Sequence, residues 1–503
     1  MAQARSVASA PAAVRVQVIA PAHLGATALA ALRARGIDAR AADTAVAAEP
    51  PSAGTVRAAR PANDGRGAAL ALDFGDDVLA WALDAAPTAA LAVELAAVCA
   101  RAAAAGRPVC LLAPLPRGTG RPAIERAAAL AYLRSFGAAV GHDVAAWLES
   151  VVLLVRFGRP AGPRAAVIAP PGSWLEAQAT ALAAEAELGG IRSPLAGPDE
   201  PTDVVLYDPA VGAPPPALPA LPALAVPVAA RGELAGAGDA AGRLFGARAA
   251  LGAVAILGRA AERIAVGLGP APRLASDELA IDHERFARQL AKLASDQRRL
   301  GDHETKVLLA AYGVPITRQA VATTPSAAVK VARRAGYPVE LKPFGHDLPS
   351  EPAGCPVERN LTSDAMVRAA FSTVLVAAGR ALTDGTGVVI RETPPAGREL
   401  AVSFLELPSL GWTVVLDGPG GAPLAAAPAP LRLVDAQALA AHVAASRAGD
   451  PDPDRTGLAN LLRRASHLAV DLGDRLVRLE LPRVVVGGRG ARTLVVDALI
   501  ELT

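Results

Sequence analysis

The feature that most constrains this chain is an alternation of short apolar strands with alanine-rich helices that runs once and then starts again. From Val14 to Asp43 the sequence VRVQVIAPAHLGATALAALRARGIDARAAD reads as a β-branched strand, a loop of small residues, a helix, and a second strand after Gly36. The same rhythm restarts at Pro163 with PRAAVIAPPGSWLEAQATALAAEAELGG and continues through DVVLYDP and LAVPVAA to a helix near Ala247 to Ile264. Strands that alternate with helices build parallel sheets covered on both faces, so the first half of the chain is expected to be α/β.

Between the two starts, ALALDFG is expected as a strand, DDVLAWALDAAPTAA as a helix and turn, and AVELAAVCARAAAAG as a helix closed by Gly106. RPVCLLAP is a further apolar strand, and AALAYLRSFGAAVGHDVAAWLESVVLLVRFG a helix, short strand and helix. APPPALPALPALAVP, Ala213 to Pro227, is a low-complexity connection inside the second unit.

GLGPAPRLA, Gly267 to Ala275, carries the punctuation of a linker, and a third domain begins near Asp277. There HETKVLLAAYG is a helix stopped by Gly313, Thr324-Pro325 starts a second helix, Gly336 ends it, and PVELK is a strand. Antiparallel-looking strands follow (GVVIRET, RELAVSFLEL, WTVVLDG, RLVRLEL, RTLVVDALIEL), with helices at Val434 to Ser446 and Gly457 to Leu472. This last part reads as α+β. Three domains suit the 503 residues, at roughly 100 to 200 residues each. Their bounds are 14–160, 163–268 and 277–503.

Charge narrows the function classes. Fifty Lys and Arg face forty-eight Asp and Glu, so no electrostatic capture of nucleic acid or of an anionic membrane is expected. The opening MAQARSVASAPAAVR lacks a continuous apolar core, and the alanine-rich run at Thr88 to Gly106 is broken by Glu94 and Arg101. Neither a signal peptide nor a membrane span is expected. Cys99, Cys110 and Cys355 stand at no metal-ligand spacing, which suits a reducing cytoplasmic setting.

Lysine is rare: Lys292, Lys306, Lys330 and Lys342 are the only four. A chain that uses arginine almost everywhere has kept the compact ammonium in one short stretch, and Lys342, at the end of an apolar strand, is the strongest candidate for a phosphate contact.

The third domain resembles the ATP-grasp domain of the ADP-forming acyl-CoA synthetases, the acetate–CoA ligase family related to succinyl-CoA synthetase. ETKVLLAAYGVPIT followed by GYPVELK carries the resemblance, together with VVIRETPPAGRELAVSFLEL, PLRLVDAQALAAHV and the closing RLVRLELPRVVVGGRGARTLVVDALIEL. The match runs from His303 to Leu502. The two upstream units resemble the same family's flavodoxin-like domains of succinyl-CoA-synthetase type, through the helix-and-turn before ARAAAAGRPVCLLAP. The resemblance therefore implies two tandem flavodoxin-like domains followed by an α+β ATP-grasp domain.

It also implies ligands and roles. ATP or ADP is expected at Lys342, Lys306, Glu392 and Glu399, magnesium at Glu480, and CoA or an acyl-CoA as a further partner, with homo- or hetero-oligomers common among such ligases. Asp497 matches an aspartate read as structural.

The chain departs from the family in three places. The family's phosphohistidine loop should follow RPVCLLAP, but LPRGTGRPAIERAAALAYLRS contains no histidine; His142 lies beyond it and His23 stands at the start of the first helix. The basic, glycine-rich phosphate loop after Lys342 is replaced by PSEPAGCPV, with Glu351 and prolines that lack N–H donors. The strand that should supply an aspartate and an asparagine reads RLELPRV. Two readings follow: an ADP-forming acid–thiol ligase with an impaired or lost relay, or a non-catalytic paralogue acting as a regulatory or partner subunit.

Overall fold

The computed structural model describes residues 14–41, 78–182, 191–192, 202–208, 224–229, 242–272, 279–293, 297–345, 348, 354–379, 387–418, 423–443, 452–488 and 490–503. The chain divides into two compact units, residues 1–116 with 129–269, and residues 117–128 with 270–503.

In chain order the first half contains β1 (Val16–Ile19), α1 (Ala22–Ala34), β2 (Ala39–Ala41), β3 (Val78–Ala82), α2 (Ala89–Ala104), β4 (Cys110–Leu112), α3 (Arg121–Ser135), β5 (Ala139–Gly141) and α4 (Val144–Arg156). It continues with β6 (Ala165–Ile168), α5 (Trp174–Leu182), β7 (Ile191–Arg192), β8 (Val204–Tyr207), β9 (Leu224–Ala229), β10 (Leu244–Phe245) and α6 (Ala247–Ala265). Two five-stranded sheets result, ordered β2-β1-β3-β4-β5 and β10-β9-β8-β6-β7. All their pairings are parallel. Counted within each sheet this is the order 2-1-3-4-5, which defines the flavodoxin-like class. The tandem repeat seen in the sequence is therefore a repeat of topology.

The two sheets share one core. Trp147, Val151 and Leu154 of α4 join Val254 and Leu257 of α6 with Val16, Val78, Val204 and Val226 of both sheets. Small residues make this approach possible: a Cβ on Gly258 of α6 would lie 2.4 Å from backbone atoms of Gly162 and Pro163. Gly258→Ala is expected to destabilise the first unit by about 1–3 kcal/mol, read as a lowered urea midpoint.

One expected element is corrected. Within DDVLAWALD, the described residues Val78–Ala82 form no helix but strand β3, buried along its whole length between β1 and β4. A central parallel strand is apolar on both faces, so it shows no period of two and mimics a buried helical turn. The helix begins only at Thr88, whose hydroxyl accepts the Leu91 N–H. ALALDFG and the segment Ala213 to Ala223 lie outside the described residues.

Burial pushes the Cys99 and Cys110 thiols up to about 12, which leaves almost no thiolate at neutral pH. Both are expected to resist a disulfide reagent at pH 8 in the folded chain and to react after unfolding.

The second half contains α7 (His283–Leu290), β11 (Arg299–Leu300), α8 (Asp302–Ala311), β12 (Gln319–Ala322), α9 (Pro325–Ala335), β13 (Val339–Phe344), β14 (Glu358–Leu361), α10 (Asp364–Ala377) and β15 (Gly387–Glu392). It ends with β16 (Arg398–Leu407), β17 (Gly411–Asp417), β18 (Pro423–Pro428), α11 (Leu433–Ala440), α12 (Arg455–Leu472), β19 (Leu476–Val486) and β20 (Leu494–Leu502). A six-stranded sheet, β11-β20-β19-β16-β17-β18, and a four-stranded sheet, β12-β15-β13-β14, are antiparallel throughout. This is the α+β arrangement expected of the third domain. Gly313 and Gly336 adopt φ of +68° and +89° where they end α8 and α9. Among the described residues, no helix is long and apolar enough to cross a membrane.

Candidate nucleotide site

Strand β13 is buried on both faces, and its two faces differ in chemistry. Side chains alternate along a strand, so Val339 and Leu341 enter the core with Val329, Val367, Phe371 and Ile390. Glu340 and Lys342 lie on the opposite face. Across the sheet, Arg391 of β15 stands directly opposite Glu340, and Val389 opposite Lys342.

Four buried charges meet Lys342 and Glu340 there. The Lys342 ammonium donates to Asp497 of β20 at 2.7 Å and lies 2.8 Å from Asp302, the first residue of α8. The other Asp302 oxygen is 3.0 Å from the Lys306 ammonium. Lys306, wholly buried, also donates to Thr317 Oγ1 at 3.0 Å, Gln319 Oε1 at 2.9 Å and the Val496 carbonyl at 2.6 Å. Arg391 donates to Glu340 through Nε at 2.9 Å and to Val496 O at 2.8 Å. At the outer end, Arg483 of β19 lies 3.8 Å from Glu340 and donates to Glu399 of β16 at 2.8 and 3.0 Å.

The titration behaviour follows from burial and partners. Burial alone would raise the Asp302 acid, but Lys306, Lys342 and Arg391 together outweigh it and hold the carboxyl well below the usual carboxylate range. Burial pushes Lys306 down to about 8, against the pull of Asp302. Burial also lowers His303, in spite of Asp302 beside it, which favours the neutral ring at pH 7.

A cavity of about 20 Å³ opens at this cluster, lined by Asp302, His303, Lys342, Phe344, Gly345 and Asp497 among others. Of the residues expected from the sequence, Lys342 lines it, whereas Lys306 lies behind it, sealed by its partners. Glu392 is buried and accepts from the Arg318 backbone and guanidinium at 2.9 and 2.6 Å. Glu399 is the outermost member, bound to Arg483. Glu480 lies elsewhere on β19, 3.0 Å from Arg478; together with burial, its charge raises the Asp417 acid. Glu351 lies outside the described residues.

The two histidines weighed for a relay are in the first half. His142 Nδ1 lies 2.7 Å from the Ala113 carbonyl and Nε2 2.9 Å from Arg134 Nη2. Since a carbonyl only accepts, Nδ1 carries the proton and Nε2 takes the arginine's. His23 is exposed, 4.0 Å from Asp84.

Magnesium beside a nucleotide takes one or two carboxylates and completes its shell with phosphate oxygens and water. Asp302, Asp497, Glu340 and Glu399 are each bound to a lysine or arginine, and Glu480, the expected ligand, lies 3.0 Å from Arg478. Among the described residues, no group of three His, Cys, Asp or Glu converges on one metal position. Sequence reasoning missed Asp302, Glu340, Arg391 and Arg483. One signal was available: Asp302 and Lys306 stand four apart on one helix.

Comparison with known proteins defines the class: residues 291–502 match the ATP-grasp domain family, so the second half of the chain is an ATP-grasp domain. The chain is homologous to ADP-forming acetate– and acyl-CoA ligases. It is 26% identical over 225 residues to the β subunit of acetate–CoA ligase (ADP-forming) II of Pyrococcus furiosus, covering 42% of this chain and 94% of that subunit. It is 27% identical over 214 residues to 4-hydroxybutyrate–CoA ligase (ADP-forming) of Nitrosopumilus maritimus, covering 40% of this chain and 30% of that one. Among solved structures, a dinucleotide-forming acetyl-coenzyme A synthetase 1 of Ca. Korarchaeum cryptofilum, in complex with coenzyme A, Ca-AMPCP and HgCl+, matches at 25% identity and a TM-score of 0.37, covering 46% of this chain and all of that one.

Proposed function

We propose that the ATP-grasp domain binds ATP or ADP with Lys342 at the phosphates. The chain then serves an ADP-forming acyl-CoA ligase system as a nucleotide-binding component without a phosphohistidine of its own. One observation carries the reading: the Lys342 ammonium lines a cavity at the N-terminus of α8, 2.8 Å from Asp302 and 2.7 Å from Asp497. The helix terminus adds its own preference for negative charge. Glu392 and Glu399 lie on strands of the same domain, outside the lining of that cavity, and enter the proposal as further nucleotide contacts.

The lost relay rests on the segment between β4 and β5, which contains no histidine, and on His142, whose Nε2 lone pair is engaged by Arg134. A histidine whose lone pair accepts a hydrogen bond from a guanidinium is a poor nucleophile. The alternative of a regulatory or partner subunit is favoured by the charge balance around Lys342, where cations and carboxylates already satisfy one another. CoA or an acyl-CoA belongs to the same proposal, as does association with a second copy or another subunit.

Calorimetric titration tests the nucleotide claim. Intact protein is expected to bind ATP with a Kd between about 1 µM and 1 mM, and Lys342→Ala to weaken it by roughly tenfold to a hundredfold, the worth of a charge-assisted contact. Undetectable binding by the intact protein removes the nucleotide reading. No acetate- and CoA-dependent ADP release is expected from the chain alone; turnover would show that a relay survives.

A further inference from the structure

We infer that His303 is a further phosphate contact of this site, donating from Nε2 to an oxygen of the nucleotide that Lys342 holds. The inference rests on the nucleotide reading above and deepens it, by adding a neutral donor to the charged one.

His303 is the second residue of α8, half-buried, and lines the cavity together with Lys342 and Phe344. Its ring stands edge-on to that of Phe344, with centroids 6.0 Å apart and planes at 82°. A polar contact then decides which nitrogen carries the proton. Lys306 donates to Gln319 Oε1 at 2.9 Å. An ammonium only donates, so the amide of Gln319 turns its oxygen to Lys306 and its NH2 group to His303. That amide nitrogen lies 3.3 Å from His303 Nδ1. Nδ1 therefore accepts, and the proton of the neutral ring sits on Nε2.

Gln319 is outside the lining of the cavity, so the Nδ1 edge of the ring is engaged behind it. The Nε2–H is left as a donor that has no hydrogen-bond partner among the described residues. The two carboxylates in the lining do not take it, because Asp302 and Asp497 lie 2.8 and 2.7 Å from the Lys342 ammonium. A donor beside an ammonium, with both carboxylates engaged, matches an anionic oxygen brought in from outside. In a nucleotide the phosphates carry such oxygens. Burial lowers His303, so the ring offers its hydrogen bond without adding a third cation beside Lys306 and Lys342.

Nuclear magnetic resonance of the full chain with isotope-labelled histidine tests the assignment, His303 being identified by the signal that His303→Phe removes. The intact chain is expected to show the Nε2–H tautomer at pH 7. ATP is expected to shift the Nε2 resonance, and adenosine, which lacks phosphate, to leave it in place. In calorimetric titration His303→Phe, which keeps a ring against Phe344 and loses both nitrogens, is expected to weaken ATP about tenfold, the worth of a hydrogen bond to a charged group. His303→Gln, which restores an N–H donor, is expected to stay within about threefold of the parent.

An Nδ1–H tautomer, an Nε2 resonance that saturating ATP does not move, or one that adenosine moves equally overturns the inference. So does an ATP affinity unchanged in His303→Phe at an unchanged urea midpoint, or His303→Gln as weak as His303→Phe. Each of these leaves the nucleotide reading standing, since the intact protein still binds ATP; no binding by the intact protein overturns that reading itself. Should His303→Phe fail to fold, His303→Gln supplies the signal assignment and the spectra decide.

Discussion

Asp302→Asn lowers the stability of the ATP-grasp domain by about 3–5 kcal/mol, the usual loss when one partner of a buried ion pair is removed. Asparagine is nearly isosteric, and its side-chain oxygen can still accept the Ala498 N–H, which bonds Asp302 at 3.1 Å. The loss therefore reports charge. Without Asp302, the ammoniums of Lys306 and Lys342 are left in a dry interior with Asp497 as the nearest carboxylate.

The pH dependence has a definite sign. Lys306 already titrates at about 8 in the folded chain, below its ordinary 10.5. Between those values the unfolded chain binds more protons than the folded one, so stability rises with pH there. Removing Asp302 lowers the folded value further, and the deficit of the variant is expected to be smaller at pH 9 than at pH 7. The acid limb behaves oppositely. Asp302 is held below its ordinary 3.8, so its contribution is complete above that value and is lost as the pH falls through the folded one. Urea unfolding at pH 2, 7 and 9 checks both limbs; equal midpoints for variant and parent at pH 7 would remove Asp302 from the network.

The sequence made the order of elements legible because that order is written locally. Thr324-Pro325 starts α9 and Gly336 stops it, as capping chemistry dictates, and the strand–helix rhythm announced both flavodoxin-like sheets. The error at Val78–Ala82 has a physical cause: five consecutive buried residues carry no period. The site was legible only in part. Lys342 stood out by residue type, but its partner Asp497 is 155 residues away, Arg391 lies 51 from Glu340, and Lys306 bonds a carbonyl 190 positions distant. Such pairings arise from sheet register, which no local pattern encodes. Arg391 looked like one more charge in GVVIRET, and the fold made it the most buried guanidinium of the cluster.

That guanidinium allows the energetics of the cluster to be separated from its function. Glu340→Gln is expected to destabilise by about 3–5 kcal/mol, because Arg391, 1% exposed, keeps its charge and loses the carboxylate that its fork binds. The double variant Glu340→Leu with Arg391→Met removes both charges at once. Its remaining charges still balance: Lys306, Lys342 and Arg483 against Asp302, Asp497 and Glu399. The Val496 carbonyl, which loses Arg391, retains the Lys306 ammonium at 2.6 Å. The double variant is therefore expected to match the parent or exceed it by up to about 4 kcal/mol, as apolar replacements of buried ion pairs do. A double variant as unstable as Glu340→Gln would mean that shape, rather than unpaired charge, explains the single loss. If stability recovers, the buried Glu340–Arg391 pair is dispensable to the fold, and the single loss reports the unpaired charge of Arg391.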